Sequence, residues 1–197
     1  VHAMDDANKG LVITKTDHLF VNEFPNTLGI QRGINAASDN WTVNINAGSF
    51  TEQLEITKPL TLLGQGVDVT NIVSPEVLVL SYTTSATNKP VIYVHDAEDV
   101  TINGITLDGD GKGNANFRFQ GIAFWNASGS VLNSKVVDVT DTPFSGVQHG
   151  IGIFAFNNTS GSSYSIILNN LEILGFQKTG VALNGNGNLN VDIDNVT

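Results

Sequence analysis

A polar residue held between apolar neighbours recurs along the second half of the chain, and this repetition limits the possible folds more than any other feature. The segments that carry it are TINGITL (101–107), VLNSKVV (131–137), ILNNLEI (167–173) and DIDNVT (192–197). Their aligned polar residues, at separations of 30, 36 and 25 residues, are Asn103, Asn133, Asn169 and Asp194. The repetition indicates one structural unit that is used several times.

A second motif alternates with the first. Its copies are GIAFWN (121–126), GIFAFN (152–157) and GVALNG (180–185), at steps of 31 and 28 residues. Because two independent motifs advance together by about 30 residues, each unit carries the same strands in the same order. Such units stack as the turns of a parallel β-helix, in which each strand pairs with its equivalent about 4.8 Å further along the axis. The rival all-β fold, an immunoglobulin-like sandwich, predicts hairpins and no repeating columns.

The Asn column has a structural explanation in a stacked fold. Asn tolerates the left-handed backbone conformation of tight bends, and stacked side-chain amides hydrogen-bond from one turn to the next. We therefore predict that Asn103, Asn133 and Asn169 form a structural ladder, in preference to a row of sugar contacts.

Short apolar or alternating runs bounded by Gly, Asn, Asp, Ser or Pro predict strands throughout the chain after Asn40. The runs are 43–45, 54–56, 60–63, 77–80, 91–94, 100–107, 131–139, 151–156, 166–174, 181–183 and 191–196. One helix is predicted, in PNTLGIQRGINAASD, with Asn26 or Thr27 as its cap. Its apolar face consists of Leu28, Ile30, Ile34 and Ala37. Two glycines weaken this helix, so we expect it to lie over the end of an apolar core.

Composition excludes several classes of partner. Acidic residues outnumber basic ones 19 to 9, and the formal net charge of −10 repels nucleic-acid phosphates and anionic lipids. No apolar run reaches the roughly 18 residues that span a bilayer. The chain has no cysteine for disulfides or thiolate metal sites. We therefore predict no nucleic-acid binding and no membrane insertion.

The segment IQRGINAASDNWTVNINAGSFTEQLEITKPLTLLGQG (30–66) resembles the entry segment of the pectin-lyase-like, right-handed parallel β-helix proteins, which include NosD-like and carbohydrate-binding and sugar-hydrolase repeat families. The family pattern is a T-I-Q-x-A-I-x-x-A helix, a V-x-V-x-x-G-x-Y/F-x-E strand and turn, and then I-x-K-x-L-T-L-x-G. The chain departs from it at Gly33, where Ala is usual, and at SDNWT (38–42), where a Gly-Asp turn is common. The resemblance covers residues 27–66 specifically and implies an all-β, right-handed parallel β-helix with an N-terminal capping helix.

The resemblance also sets the expected domain boundaries. Residues 1–25 are expected to be a lead-in strand or linker. Residues 26–197 are expected to be the β-helix domain, with the cap helix at about 26–38 and the coils from residue 41. An unprotected terminal coil is an open sheet edge, and the last strand pattern shows no closing element, so we expect further domains of a longer chain.

The loop LDGDGKGNANFR (107–118) carries the densest group of polar side chains. It departs from an EF-hand loop, since Lys112 takes a ligand position and Phe119 stands where the bidentate Glu belongs. A solvated loop between coils is one interpretation, and a looser Ca²⁺ site is the other. The candidate calcium ligands, which alternate as oxygen ligands do, are Asp108, Asp110, Asn114 and Asn116.

A polyuronate lyase on such a fold requires calcium to neutralise a uronate carboxylate, and an Arg or Lys to abstract the adjacent proton. Arg118 and Lys112 are the candidate catalytic bases, although nothing in their spacing demands that role. The paired carboxylates of the family's glycosidases are missing, and VQHG (147–150) matches only a fragment of their G-H-G motif. The esterase and epimerase signatures are missing as well.

If Ile122 and Ile153 point inward, strand alternation turns Trp125 and Phe156 outward at equivalent positions of successive coils. Two such rings form a platform for the apolar face of a sugar, unless insertions between the coils cover them. We therefore predict an extracellular or cell-surface domain that is adhesive, carbohydrate-binding or structural, and that meets a polysaccharide or cell-surface glycan. The alternative is a calcium-assisted polyuronate lyase.

Overall fold

The computed structural model describes residues 15–23 and 29–197, and strands make up most of it. Within these described residues, one α-helix and one short 3₁₀ helix, Gly113–Ala115, accompany the strands. In chain order the elements are β1 (His18–Val21), α1 (Gly29–Ala36), β2 (Trp41–Ile45), β3 (Gly48–Thr51), β4 (Leu54–Ile56), β5 (Leu60–Leu63), β6 (Thr70–Val73), β7 (Tyr82–Thr83), β8 (Thr87–His95), β9 (Val100–Asn103), β10 (Thr106–Asp108), β11 (Phe119–Trp125), β12 (Gly129–Val137), β13 (Ile151–Asn157), β14 (Ser163–Leu174), β15 (Thr179–Gly185) and β16 (Asn188–Val196).

The strands form two sheets. The large sheet has ten strands, in the order β1-β2-β5-β9-β12-β10-β6-β3, with β14 beside β12 and β16 beside β14. The small sheet has the order β15-β13-β11-β8-β4, and β7 adds to β8. Among the named strands of the described chain, β7 and β8 make the one antiparallel pair. The predicted all-β class with parallel sheets therefore fits the structure.

From β2 onward the chain visits the sheets in a repeating order. Two short strands of the large sheet, or one long one, are followed by one long strand or one short strand of the small sheet, and in one unit the short β7 precedes β8. Matched apolar residues consequently lie side by side in register and form the core. In the large sheet this row is Leu19, Val43, Leu62, Ile102, Val131 and Leu168. Ile193 on β16 continues the register beside Leu168 but is 50% exposed. In the small sheet it is Leu54, Ile92, Ile122, Ile153 and Val181, which confirms the predicted alignment of the second motif.

Helix α1 covers the first strands, as its three- and four-residue apolar spacing predicts. Ile30, Ile34 and Ala37 are buried, whereas the predicted capping residues and Leu28 lie outside the described residues. Gly33 is explained by packing: a Cβ there would lie 2.9 Å from Val21 Cγ2 and 3.0 Å from a Val43 methyl. The departure from the family's Ala therefore lets the helix approach β1 and β2 closely.

The predicted Asn ladder is partly wrong. Asn133 Nδ2 donates to Asn103 Oδ1 at 3.1 Å, as expected, but the next member is Asn170, whose Nδ2 donates to Asn133 Oδ1 at 2.9 Å. Asn195 continues the row by donating to Asn170 Oδ1 at 2.8 Å. Asn169 lies one position earlier and donates to Asp194 instead. The ladder thus follows the bend of the long strands, where Asn133, Asn170 and Asn195 all have positive φ.

Two strand predictions also need correction. Residues 77–80 form no strand, because their N–H groups donate to side chains: Leu78 to Asn116 Oδ1, and Val79 and Leu80 to Gln53 Oε1. The predicted run 100–107 is divided into β9 and β10 by a bend at Gly104, whose φ is 70°. In the part of the chain that the structure describes, no helix has the length and apolar character needed to cross a membrane.

Candidate functional site

The outer face of the small sheet carries a strip of aromatic side chains. Trp125 on β11 and Phe156 on β13 are directly paired in register, and both are half-buried. Their rings stack with centroids 5.1 Å apart and planes 9° apart. Phe154, two residues before Phe156, lies 5.9 Å from it and extends the strip. The predicted alignment of Trp125 and Phe156 at equivalent strand positions is confirmed; their contact with sugar stays a prediction.

An insertion covers one end of this strip, as the alternative interpretation predicts. Tyr82, on the short strand β7, stacks on Tyr93 at 5.2 Å and lies 4.8 Å from the Trp125 ring. Its hydroxyl donates to Gln120 Oε1 at 2.6 Å. Burial raises the pKa of Tyr82 well above its usual range, and burial with nearby carboxylates raises that of Tyr93 to about 12. Both hydroxyls therefore stay protonated at neutral pH.

Beyond Tyr82 the aromatic strip opens into a groove of about 810 Å³. Its apolar surface includes Phe154, Phe156 and Ile151, and amide side chains supply much of its polar surface. The described residues that line it include no Asp or Glu, and the charged ones are both basic, Arg118 and Lys178. In a chain of net charge −10, this groove is locally cationic. The remaining polar side chains in the lining are Thr83, Thr84, Ser85, Asn88, Gln120, Gln148, His149, Asn158, Asn184 and Asn186.

Arg118 is held in the groove by hydroxyl groups. Its Nη1 donates to Thr84 Oγ1 at 3.1 Å and its Nη2 to Ser85 Oγ at 3.0 Å, both in the turn that follows Tyr82. None of the ion pairs found among the described residues includes Arg118 or Lys178. Both cations therefore keep charge that an acidic ligand can neutralise.

A buried polar cluster supports Arg118 from behind. His149 Nδ1 accepts the backbone N–H of Arg118 at 3.1 Å, and His149 Nε2 contacts Asp141 Oδ1 at 2.7 Å. Asp141 also accepts from Ser145 and from Gln177 Nε2. Burial alone would raise the pKa of Asp141, but the hydrogen bonds from Ser145, His149 and Gln177 hold it below its usual range. Asp141 is therefore a carboxylate at neutral pH, and His149 donates to it through Nε2.

The other candidate base, Lys112, is already paired with carboxylates. Its Nζ lies 2.8 Å from Glu76 Oε2 and 3.5 Å from Asp110 Oδ2. The hydrogen bond and charge of Glu76 raise the pKa of Lys112, so its amine stays protonated and is unsuited to abstracting a proton. Lys112 is also missing from the lining of the groove that holds Arg118. The structure thus separates the two candidate bases.

The candidate calcium ligands have partners of their own. Asp108 Oδ1 accepts the N–H of Asp110, Asn114 Oδ1 accepts the N–H of Thr142, and Asn116 Oδ1 accepts the N–H of Leu78. Burial, with the charges of nearby aspartates, raises the pKa of Asp108 despite the N–H bond. Within residues 15–23 and 29–197, no three His, Asp or Glu side chains are grouped to hold a metal ion. These contacts lend the calcium hypothesis no support, and it stays a prediction.

Several residues of the groove were missed at the sequence level. Lys178 and Gln120 belong to no recognised sequence motif, and His149 stands out only as part of VQHG. Their positions follow from strand pairing, since Gln120 pairs with Ile151 and Lys178 directly precedes Thr179, the partner of Ile151 on β15. Lys178 could have been found by extending the second motif to the residues before each copy.

Comparison with family models found no match to the chain. Comparison with curated proteins found none either. The resemblance to pectin-lyase-like proteins stays a prediction, and the groove on the small sheet carries the functional argument.

Proposed function

We propose that the protein binds a glycan in the groove on the outer face of the small sheet. The observation that carries this proposal is the parallel stack of Trp125 and Phe156, both half-buried, with Phe156 forming part of the groove wall and Trp125 packed beside it. Sugars present an apolar face of C–H groups and an edge of hydroxyls, so they fit a surface that combines flat rings with amide side chains.

The charge of the groove favours acidic glycans over neutral ones. Arg118 and Lys178 are its charged lining residues, and neither has a carboxylate partner among the described residues. A guanidinium already oriented by Thr84 and Ser85 loses little side-chain freedom when it binds a carboxylate or sulfate. We expect an acidic oligosaccharide to bind more tightly than a neutral one of equal length, and salt to weaken that binding.

We further propose that the two sheets are the faces of one right-handed parallel β-helix, as in the pectin-lyase-like proteins that the entry segment resembles. The repeating visits to the two sheets and the rows of matched core residues support this arrangement. Such stacks present long surfaces on which binding residues of successive turns line up. An extracellular or cell-surface location, with an adhesive role, is part of the same proposal.

A polyuronate lyase is the second candidate, and the position of Arg118 in the groove favours it. Among the described residues, the lining offers no carboxylate to hold the calcium ion of a calcium-assisted lyase, so glycan binding is the first proposal. The two functions differ in a simple readout. A lyase converts oligogalacturonate or alginate into unsaturated products that absorb ultraviolet light, and chelation abolishes that conversion.

A glycan array followed by calorimetric titration tests the proposal. We expect Trp125→Ala and Phe156→Ala to weaken binding of an array hit by about tenfold or more, which corresponds to about 1.4 kcal/mol. Phe144→Ala is the matched control, because Phe144 is 67% exposed and belongs neither to the groove lining nor to the aromatic strip. Equal losses in all three variants, or no array hit among neutral and acidic glycans, would contradict glycan binding at this site.

A further inference from the structure

His149 lines the groove and contacts both Arg118 and the buried carboxylate of Asp141. It is 5% exposed, and its two ring nitrogens have different partners. Nδ1 accepts a backbone N–H, that of Arg118, at 3.1 Å. A backbone amide can only donate, so Nδ1 carries no proton and the ring is neutral, with its proton on Nε2 facing Asp141.

The bond to His149 holds Arg118 at a special position of the backbone. Arg118 has a φ of 54°, a left-handed conformation that residues other than Gly, Asn and Asp seldom adopt. Its side chain reaches Thr84 and Ser85 from this backbone position and lines the groove. The placement of the guanidinium therefore depends on a local conformation that His149 helps to hold.

We propose that His149 is a pH-sensitive positioning residue, which holds Arg118 in its ligand-binding position when neutral and releases it when protonated. A proton on Nδ1 turns the acceptor into a donor that faces the Arg118 N–H, so the bond is lost. Arg118 then leaves its left-handed conformation, and the groove loses one of its two cations. This inference rests on the proposed glycan binding, since it describes the regulation of the same site.

The charged groups around His149 determine how acidification changes the affinity for an acidic glycan. Asp141 faces the ring directly, and Arg118 and Lys178 line the same groove. Because hydrogen bonds keep the pKa of Asp141 below its usual range, its carboxylate stays ionised when the solution is made mildly acidic. Added positive charge would by itself strengthen binding of an acidic glycan. A fall in affinity on acidification therefore reports the displacement of Arg118 and not the change in net charge.

Nuclear magnetic resonance tests the first step without any ligand. In the ¹⁵N-labelled protein, we expect the Arg118 amide signal to shift with the same midpoint as the His149 ring nitrogens, and its hydrogen exchange to accelerate below that midpoint. The His149 ring should show a neutral form protonated on Nε2 above it. An Arg118 amide that stays unchanged while the His149 ring titrates would overturn the proposal.

The second step uses labelled oligogalacturonate as the probe. We expect the affinity for this probe to fall about three- to tenfold between about pH 7.5 and 5.5. A change of this size corresponds to the loss of one hydrogen bond. His149→Gln should abolish this dependence. His18→Gln is the matched control and should retain it, because His18 contacts Asn44 on the large sheet.

The outcomes separate this inference from the proposed function. Probe binding that is equal or stronger at low pH in the unmodified protein refutes the regulation and leaves glycan binding intact. An Arg118 amide that follows His149, in a protein that binds no probe at any pH, supports the positioning role and refutes binding of this acidic glycan. A dependence that persists in His149→Gln assigns it to another group and overturns the proposal.

Discussion

Replacing Glu52 by glutamine tests how helix α1 is held over the first strands. The carboxylate is 2% exposed, and it accepts the N–H groups of Gly29 and Ile30 on Oε1 and of Gln31 on Oε2, at 2.9, 3.0 and 3.0 Å. Glutamine keeps Oε1 for two of these bonds but removes their charge. Its NH₂ group then faces the Gln31 N–H, so that a donor meets a donor.

The magnitude follows from these contacts. A hydrogen bond to a charged group contributes about 1.5–3 kcal/mol, and a negative charge at a helix N-terminus contributes up to about 2 kcal/mol when partly buried. The bonds share one carboxylate and are not additive. We expect Glu52→Gln to lower the free energy of unfolding by about 2–3 kcal/mol, and Glu52→Ala by about 3–4 kcal/mol, because alanine leaves all three N–H groups without this acceptor.

Urea unfolding followed by circular dichroism measures the change in the free energy of unfolding, and thermal unfolding with the same signal gives the melting temperature. In a chain of this length 1 kcal/mol corresponds to about 2–4 °C, so the melting temperature of Glu52→Gln should fall by roughly 4–12 °C. Glu98→Gln is the matched control: Glu98 is exposed, and its loss should change stability by less than about 0.5 kcal/mol. A Glu52→Gln variant as stable as this control would refute the view that Glu52 fixes the helix.

Three further predictions concern stability and use the same unfolding assay. Because the pKa of Asp141 is lowered in the folded protein, its contribution is present above the unfolded value of about 3.9 and disappears as pH falls through the folded value. The stability gap between the unmodified protein and Asp141→Asn should therefore close below about pH 4. Gly152→Ala should cost about 2–3 kcal/mol, since its Cβ would lie 2.6 Å from the Gly180 carbonyl oxygen. Gly180→Ala should cost under about 1 kcal/mol, because its Cβ would meet only side chains, the Phe176 ring at 3.3 Å and Ile173 Cγ2 at 3.5 Å. Asn170→Ala should cost about 1–2 kcal/mol through two lost amide bonds and a positive φ, and Asn169→Ala, which loses one exposed bond, about 0.5 kcal/mol or less. Equal costs within either pair would contradict the corresponding explanation.

The register of the second motif could be predicted because apolar residues mark its inward positions. Ile122, Ile153 and Val181 must avoid water, and their alternation with outward residues leaves one alignment. Matching residue types places the first motif one position out between Asn103, Asn133 and Asn169, although Asn169 and Asp194 are paired as predicted. In the structure Asn133 and Asn170 occupy the bend that Gly104 occupies in the preceding unit, and all three have positive φ. Gly and Asn are interchangeable at such a bend, so matching Asn with Asn misses it.

The helix was predicted from its spacing, but the way it is held was not. Glu52 lies 21 to 23 residues after the N–H groups that it binds, so no local pattern links them. The family pattern that the segment resembles has a Glu at the end of its second element, at the position of Glu52. That pattern does not indicate which groups Glu52 binds. The structure supplies that role, since a buried carboxylate beneath a helix N-terminus satisfies donors that would otherwise lack partners.

The groove shows why an acidic chain can carry a cationic site that its composition conceals. In stacked parallel strands, residues about 30 positions apart become neighbours at one strand spacing of about 4.8 Å, so each surface collects side chains from several distant segments. Phe156 was predictable because it lies on a strand whose register the core fixes. Arg118, Thr84 and His149 lie in bends and insertions, whose positions the core does not determine. Their convergence involves bonds between unlike segments, such as those that Arg118 makes with His149 Nδ1 and with Thr84 Oγ1. The net charge of the chain does not determine where such bonds form.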